Sequence, residues 1–386
     1  MALHTLRKMA MGGLHDHLGG GFHRYSVDAR WHVPHFEKML YDQWQLVCTY
    51  LDAYQATRDP FFADVARGIL EYVRRDMTGE QGQFYSAEDA DSPRDANADE
   101  SAEGAFYVWT WAELAETLGA EAAEMFAFVY GVEPDGNVRD APHGELRGRN
   151  VLILSRSEAE AAARFRMPEG AVRDRLAAAR RRLFETRARR PRPRRDDKTI
   201  TAWNGLMISA FARAHQALGD AAYLTAAGRA ADFIRANLYD ESRGVLLRRY
   251  RAGPSAIDGY ADDYAFLIRG LLDLYEAGFD VAHVEWALAL QNRQDALFWD
   301  ERDGGYFDTS GADETILLRM KEGCATLTYV PGHGTEYALD GRVKAVIEGA
   351  DFASAYFKVW LGRRPGSRSV KEQLLNGLTR PGKETL

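Results

Sequence analysis

An apolar stripe at helical spacing recurs three times along this chain, and each time an aspartate and a second stripe follow it. Leu40, Trp44, Val47, Leu51 and Tyr54 form the first stripe. Asp59-Pro60 then offers an N-cap with proline at the first helical position, ahead of Phe62, Val65, Ile69 and Val73. The pattern returns at Trp203, Met207, Phe211, Ala214 and Leu218, with Asp220 before Leu224, Ala227, Ala231, Ile234 and Leu238. It returns again at Tyr264, Leu267, Leu271 and Leu274, with Asp280 before Val284, Ala287, Leu290 and Leu297. Each unit reads as a helical hairpin with a very short turn. Weaker helical stretches near 111–130, 157–165 and 172–187 separate the first pair from the second. Hairpins that repeat in this way stack side by side, first helices lining an inner ring and capped second helices an outer one.

A glycine-containing, aromatic, extended segment follows each pair, at 82–92, 243–253 and 304–311. Equivalent segments are expected at one end of the stack, where the first helices also begin. Asp42, Asn204 and Asp263 open those helices at matching register, so they are expected at one mouth together with Asp89 and Asp91.

Composition narrows the classes. With a net charge of −8 over 386 residues, no global field draws the chain to nucleic acid or to a membrane surface. Cys48 and Cys324 are its only cysteines, which argues for a reducing compartment without a disulfide framework. No apolar run reaches the roughly 18 residues of a membrane span, and the N-terminus lacks a signal-peptide core. The expected location is cytoplasmic, with no nucleic-acid or membrane partner.

Chemistry is densest at residues 12–42, GGLHDHLGGGFHRYSVDARWHVPHFEKMLYD. His23 and His35 are the acid/base candidates, because imidazole titrates near neutrality and can remove and return a proton. Both can equally pack against carbonyls of the glycine loop. Arg24 and Tyr25 are candidate ligand contacts, although Arg24 and Asp28 can also pair with each other or with Glu37. Asp89 and Asp91 suit carboxylate acid/base work or hydrogen bonding to hydroxyls. Trp203 and Tyr264 offer aromatic faces, and Asn204 and Asp263 offer polar groups at inner-helix starts. His15-Asp16-His17 is a poor chelate away from a strand, so no metal and no cofactor are expected. The six arginines of 187–195 read as a solvated loop between helices.

GGGFHRYSVD, PHFEKMLYD, FYSAEDADS, EGAFYVWT, RPRPRRDDKTITAWNGLM and DDYAFL resemble signature stretches of the spermatogenesis-associated, thioredoxin-fused family. The resemblance runs over roughly residues 1–322. It implies a mainly α fold, a partial (α/α)6 toroid of the six-hairpin glycosidase and N-acylglucosamine 2-epimerase type. It also implies a thioredoxin-like half that is not in this chain, hence a possible thioredoxin-like partner. Residues 325–365 resemble instead the closing part of a chalcone-isomerase-like domain, through Tyr329, Pro331-Gly332, Gly334-Thr335, Gly349 to Phe352, Trp360 to Gly362 and Pro365. The strands that would carry isomerase chemistry there are missing, so none is assigned. Residues 1–322 are thus expected to form an incomplete, open toroid, and 323–386 a short β-hairpin plus helix in a small α+β segment, the two joined near Lys321–Cys324.

The resemblance implies a carbohydrate-handling toroid, foremost a sugar isomerase or epimerase with histidine acid/base catalysis. Three alternatives stay open. One is glycoside hydrolysis through Asp89, Asp91 or Asp263. The second is a non-catalytic binding module associated with a thioredoxin-like partner, and the third is a truncated fusion without native function.

Overall fold

The computed structural model describes residues 1–94, 100–138, 146–311 and 320, and three strands at 325–330, 334–339 and 342–347. Among them the helices are α1 (Ala2–Met11), α2 (Leu40–Thr57), α3 (Pro60–Asp76), α4 (Trp111–Leu118), α5 (Ala120–Tyr130) and α6 (Glu158–Phe165). They continue as α7 (Glu169–Arg187), α8 (Thr201–Leu218), α9 (Ala221–Asn237), α10 (Ala261–Gly278) and α11 (Val281–Phe298). The chain divides into two compact units, Met1–Leu297 and Phe298–Leu386.

The three capped turns of the repeat shape the first unit. One left-handed residue ends each leading helix: Arg58 at φ 58°, Gly219 at 77° and Phe279 at 59°. The aspartate that follows accepts a backbone N–H from the new helix, Asp59 from Phe61 (3.0 Å), Asp220 from Ala222 (2.9 Å) and Asp280 from Ala282 (3.0 Å). A left-handed residue plus an N-cap therefore reverses the chain within two positions.

Helices α2, α8 and α10 are neighbours in an inner layer, with α3 and α9 behind α2 and α8. Gln294 of α11 donates to the Ala261 carbonyl at the start of α10 (3.2 Å), completing a third pair. Helix α8 is buried on nearly every side. Its backbone meets α10 at glycines: a Cβ on Gly270 would lie 2.3 Å from the Gly205 oxygen. The first unit therefore contains an arc of an α/α toroid. Helix α2 packs directly on α8 although α3 to α7 intervene in sequence. Of these, α4 to α7 form a cluster of their own around Trp109, Leu114, Phe126 and Leu183. Burying α8 on both flanks requires this arrangement.

Short strands gather at the start of the inner helices, as the repeat predicts for two of the three extended segments. Lys38–Met39, leading into α2, pairs with Ala87–Glu88, which pairs in turn with Arg195–Asp196. Thr199–Ile200, leading into α8, pairs with Arg249–Tyr250. The third segment belongs to the second unit, where Trp299 bridges to Tyr306.

In that second unit Ala325–Val330, Gly334–Leu339 and Arg342–Ile347 form a three-stranded antiparallel sheet in chain order. The register shifts between Tyr337 and Ala338, a bulge that leaves Lys344 unopposed. The Pro331-Gly332 pair and the helix expected in this segment lie outside the described residues.

Candidate functional site at the start of the inner helices

The antiparallel pair Tyr25–Ser26 and Pro34–His35 sets Tyr25 opposite His35, and their rings stack with centroids 4.9 Å apart. His35 Nδ1 lies 2.7 Å from Glu103 Oε1, which also accepts the Phe36 N–H (3.2 Å). With Nδ1 donating to that carboxylate, Nε2 is the nitrogen left to act; it lies 3.8 Å from Glu37 Oε2. Arg24 donates to the same Glu37 oxygen (2.8 Å). Two residues past the Lys38–Met39 strand, Tyr41 meets Trp203 of α8 edge to face at 4.8 Å. Beside it Asp42, in the first turn of α2, has its carboxyl pushed up to about 6 by burial, with Arg24 opposing and Glu37 reinforcing. Its Oδ2 is buried without a hydrogen-bond partner.

The carboxylate hairpin borders this rim. Asp91 stands opposite Glu103 in the pairing of Asp91–Pro93 with Ser101–Glu103. Asp89 Oδ1 accepts the Asp91 N–H (3.2 Å), and both residues are exposed. Arg24, Tyr25, His35, Asp89, Asp91 and Trp203 thus belong to one stretch of contacts at the inner-helix start.

The structure uses four other candidates inside the fold. His23 is 3% exposed, with Nδ1 on the Phe36 carbonyl (2.9 Å) and the rings of Tyr107 and Phe36 edge-on to it. Burial first, and Lys38 next, hold its pKa well below the ordinary value, so it stays neutral. Fully buried Asn204 accepts the Phe84 N–H (2.8 Å) and donates to the Phe84 carbonyl (3.0 Å). Asp263 accepts N–H groups from Ala202 (2.8 Å) and Tyr260 (2.9 Å) and pairs with Arg248 (2.8 Å); burial raises its carboxyl to about 6. The Tyr264 hydroxyl accepts the Leu246 N–H (2.9 Å).

These contacts correct the register expected for the mouth. Gln43, Asn204 and Tyr264 each stand sixteen residues ahead of a cap, and each fastens the backbone of an incoming segment. Gln43 does so by accepting the Phe22 N–H (2.9 Å) and donating to the Phe22 carbonyl (2.8 Å). The positions one residue earlier, Asp42, Trp203 and Asp263, diverge: two face the rim and the third is an internal cap.

A buried ionic cluster escaped the sequence reading. Lys38 is 1% exposed and donates to Asp16 Oδ2 (3.0 Å), its ammonium 4.2 Å from the Tyr72 ring centroid. Arg187 binds the same carboxylate through two nitrogens, both at 2.8 Å. Burial alone would raise the Asp16 carboxyl, but Arg187 and Lys38 hold it well below the usual carboxylate range. Glu88 accepts the Tyr72 hydroxyl (2.7 Å) and pairs with Arg192 (3.2 Å), which also holds Asp76 (2.9 Å). Gly21, at φ 75°, passes so close to Tyr72 that a Cβ would lie 2.5 Å from its ring. The arginine run is therefore solvated only in part: Arg189, Arg192, Arg194 and Arg195 are exposed, while Arg187 is buried and Arg190 half-buried. Arg190 stacks over Trp109 (3.9 Å) and donates to the Phe106 and Val108 carbonyls. The signal was present in the alternation Pro34, Phe36, Lys38 and Leu40, which puts Lys38 on the buried face.

His15-Asp16-His17 is likewise taken up by the fold. Asp16 holds two cations, His17 Nε2 contacts the Gly12 carbonyl (2.9 Å), and both His15 nitrogens are buried without partners. Among the described residues no group of three or more His, Cys, Asp or Glu side chains is arranged to hold a metal ion. Among them, too, no helix is long and apolar enough to cross a membrane.

Comparison with known proteins supports the motif resemblance. The chain is 46% identical to human spermatogenesis-associated protein 20 over 342 residues, 83% of this chain and 43% of that protein. The mouse protein of the same name is also 46% identical, over 344 residues, with the same shares covered. Over this stretch the chain belongs to the spermatogenesis-associated protein 20 family. It spans less than half the length of these relatives. Residues 314–376 match a second family, described as chalcone isomerase-like. Among solved structures the chain is similar to cellobiose 2-epimerase from Bacillus thermoamylovorans (TM-score 0.45, 10% identity, 78% of this chain and 55% of that one). It is also similar to an unsaturated glucuronyl hydrolase from Bacillus sp. GL1 (TM-score 0.44, 14% identity, 80% and 59%).

Proposed function

We propose that the rim binds a carbohydrate-type ligand and that His35 moves protons on it, as an isomerase or epimerase requires. The observation that carries this reading is the His35–Glu103 pair at 2.7 Å, which fixes one imidazole nitrogen and leaves the other for a substrate. Nε2 would take a proton from a carbon next to a carbonyl. The pair of electrons left on that carbon delocalises onto the carbonyl oxygen; the imidazolium then hands the proton to the neighbouring carbon while the adjoining hydroxyl proton passes to that oxygen, or returns it to the same carbon after the enediol has turned its other face to the imidazole. Glu103 stabilises the imidazolium while it lasts. Arg24 would donate to the oxygen that gains charge, and Tyr25, Tyr41 and Trp203 supply faces for the apolar side of a sugar ring.

Solvent-deuterium incorporation tests this reading. A panel of aldoses, ketoses and cellobiose incubated in heavy water should show exchange at one sugar carbon by NMR. His35→Ala should abolish the exchange. Glu103→Gln should lower kcat with little change in KM, since it removes the stabilising charge rather than a ligand contact. Exchange that persists in His35→Ala would overturn the mechanism.

Asp42 favours a second reading. A carboxyl raised to about 6 by burial, with a second carboxyl, Glu37, close by, is the kind of pair that glycosidic acid/base chemistry uses. That reading predicts release of a reducing sugar that is lost in Asp42→Asn and kept in His35→Ala. Sugar binding without either reaction would mark a binding module. Its thioredoxin-like partner, a proposal from the family resemblance, should then co-purify with the chain.

A further inference from the structure

We infer that the cavity beneath the 27–33 loop is a second binding site, one that takes a small organic anion with an apolar body. The cavity measures about 620 Å³, a size that suits a small ligand. It lies at the far end of the Tyr25–Ser26 and Pro34–His35 pairing, so it uses none of the rim residues and does not depend on the function proposed for them.

The loop over it is built rigid. The Val27 N–H donates to the Val33 carbonyl (2.9 Å), and the Ser26 hydroxyl donates to the Asp28 carbonyl (2.9 Å). The Asp28 carboxylate accepts three backbone N–H groups, from Arg30 (2.6 Å), His32 (3.3 Å) and Val33 (2.6 Å). Held in this way, Trp31 adopts φ 62°, a left-handed conformation that costs an ordinary residue about 1–2 kcal/mol. Its carbonyl is fixed by the Gly13 N–H (2.7 Å). Strain retained by so many bonds is characteristic of a ligand clamp.

The lining then gives the chemistry. Val27, Val33, Val132 and Ile153 form an apolar wall. Asp28 is occupied by backbone. Arg30 is exposed, and its guanidinium has no ion-pair partner among the described residues. His32 also lines the cavity, and its Nε2 is buried without a hydrogen-bond partner. Glu133 also lines the cavity. An anionic head therefore docks on Arg30 beside His32, with its apolar body on the valines.

Titration calorimetry of the full chain with benzoate and phenyl phosphate tests the site, with inorganic phosphate and benzyl alcohol as comparators. The aromatic anions should bind, and each comparator should bind more weakly by at least about tenfold, because it lacks either the body or the charge. Arg30→Ala should weaken benzoate by about tenfold or more. Arg67→Ala, which removes an exposed arginine elsewhere, should leave it unchanged. No binding of the aromatic anions, equal binding of the comparators, or an Arg30→Ala chain that binds as the parent does would each overturn the proposal.

Discussion

Asp16 shows how much one side chain can decide. It is the shared anion for Lys38 and Arg187, and both cations are buried. Removing it leaves two charges without compensation in a low-dielectric interior. Asp16→Ala should therefore cost about 3–5 kcal/mol in urea denaturation. The neighbouring histidines predict the acid response. Burial, with His17 next, lowers the His15 pKa to about 3, and burial lowers that of His17 to about 4 against the Gly12 hydrogen bond. The unfolded chain takes up those protons near pH 6.5 while the folded chain refuses them. Stability is thus full above about pH 6.5 and falls as pH drops toward 4, by an amount on the order of a few kcal/mol per histidine. Denaturant midpoints measured across that window should show the fall. His15→Phe, which keeps an aromatic ring beside Phe22 and removes the titrating group, should make it shallower.

The hairpin turns show what a helix needs in order to end. Gly219 takes its left-handed conformation without a Cβ penalty, while Arg58 and Phe279 adopt it with one. Phe279 is also 74% exposed, so its ring contributes little burial. Phe279→Gly should raise stability by about 0.5–1 kcal/mol, read from the thermal midpoint. The caps were legible from Asp59-Pro60, Asp220 and Asp280, because an N-cap is a local interaction between a side chain and the next turn. The clamps made by Gln43, Asn204 and Tyr264 were not. Asn204 bonds to Phe84, 120 residues away, and no pattern within one helix reports such a partner.

At the scale of the molecule, the inner layer depends on close backbone approach. Gly270 sits against the Gly205 carbonyl, so Gly270→Ala must push α10 away from α8. It should lower stability by about 1–3 kcal/mol and lower the thermal midpoint accordingly. Cross-helix pairs follow the same seam: Arg213 of α8 pairs with Asp52 of α2, and Ser209 of α8 with Asp273 of α10. That α2 and α8 are neighbours was hidden by the 143 residues between Thr57 and Thr201. Helical period orients a face toward a core, but it does not say which distant helix supplies that core.

What the sequence settled unaided was local: three capped hairpins, and kinship to a family through motifs such as GGGFHRYSVD and PHFEKMLYD. Those features come from backbone geometry and near-neighbour contacts, which leave regular traces in residue order. What the tertiary structure decided was which polar residues meet. It sent His23, Asn204 and Asp263 inward and turned an arginine run into the counter-charge for Asp16, Asp76 and Glu88. It also left His35 beside Glu103, at the surface. Burial and charge pairing are properties of three-dimensional neighbours, and those neighbours exist only once the chain has closed on itself.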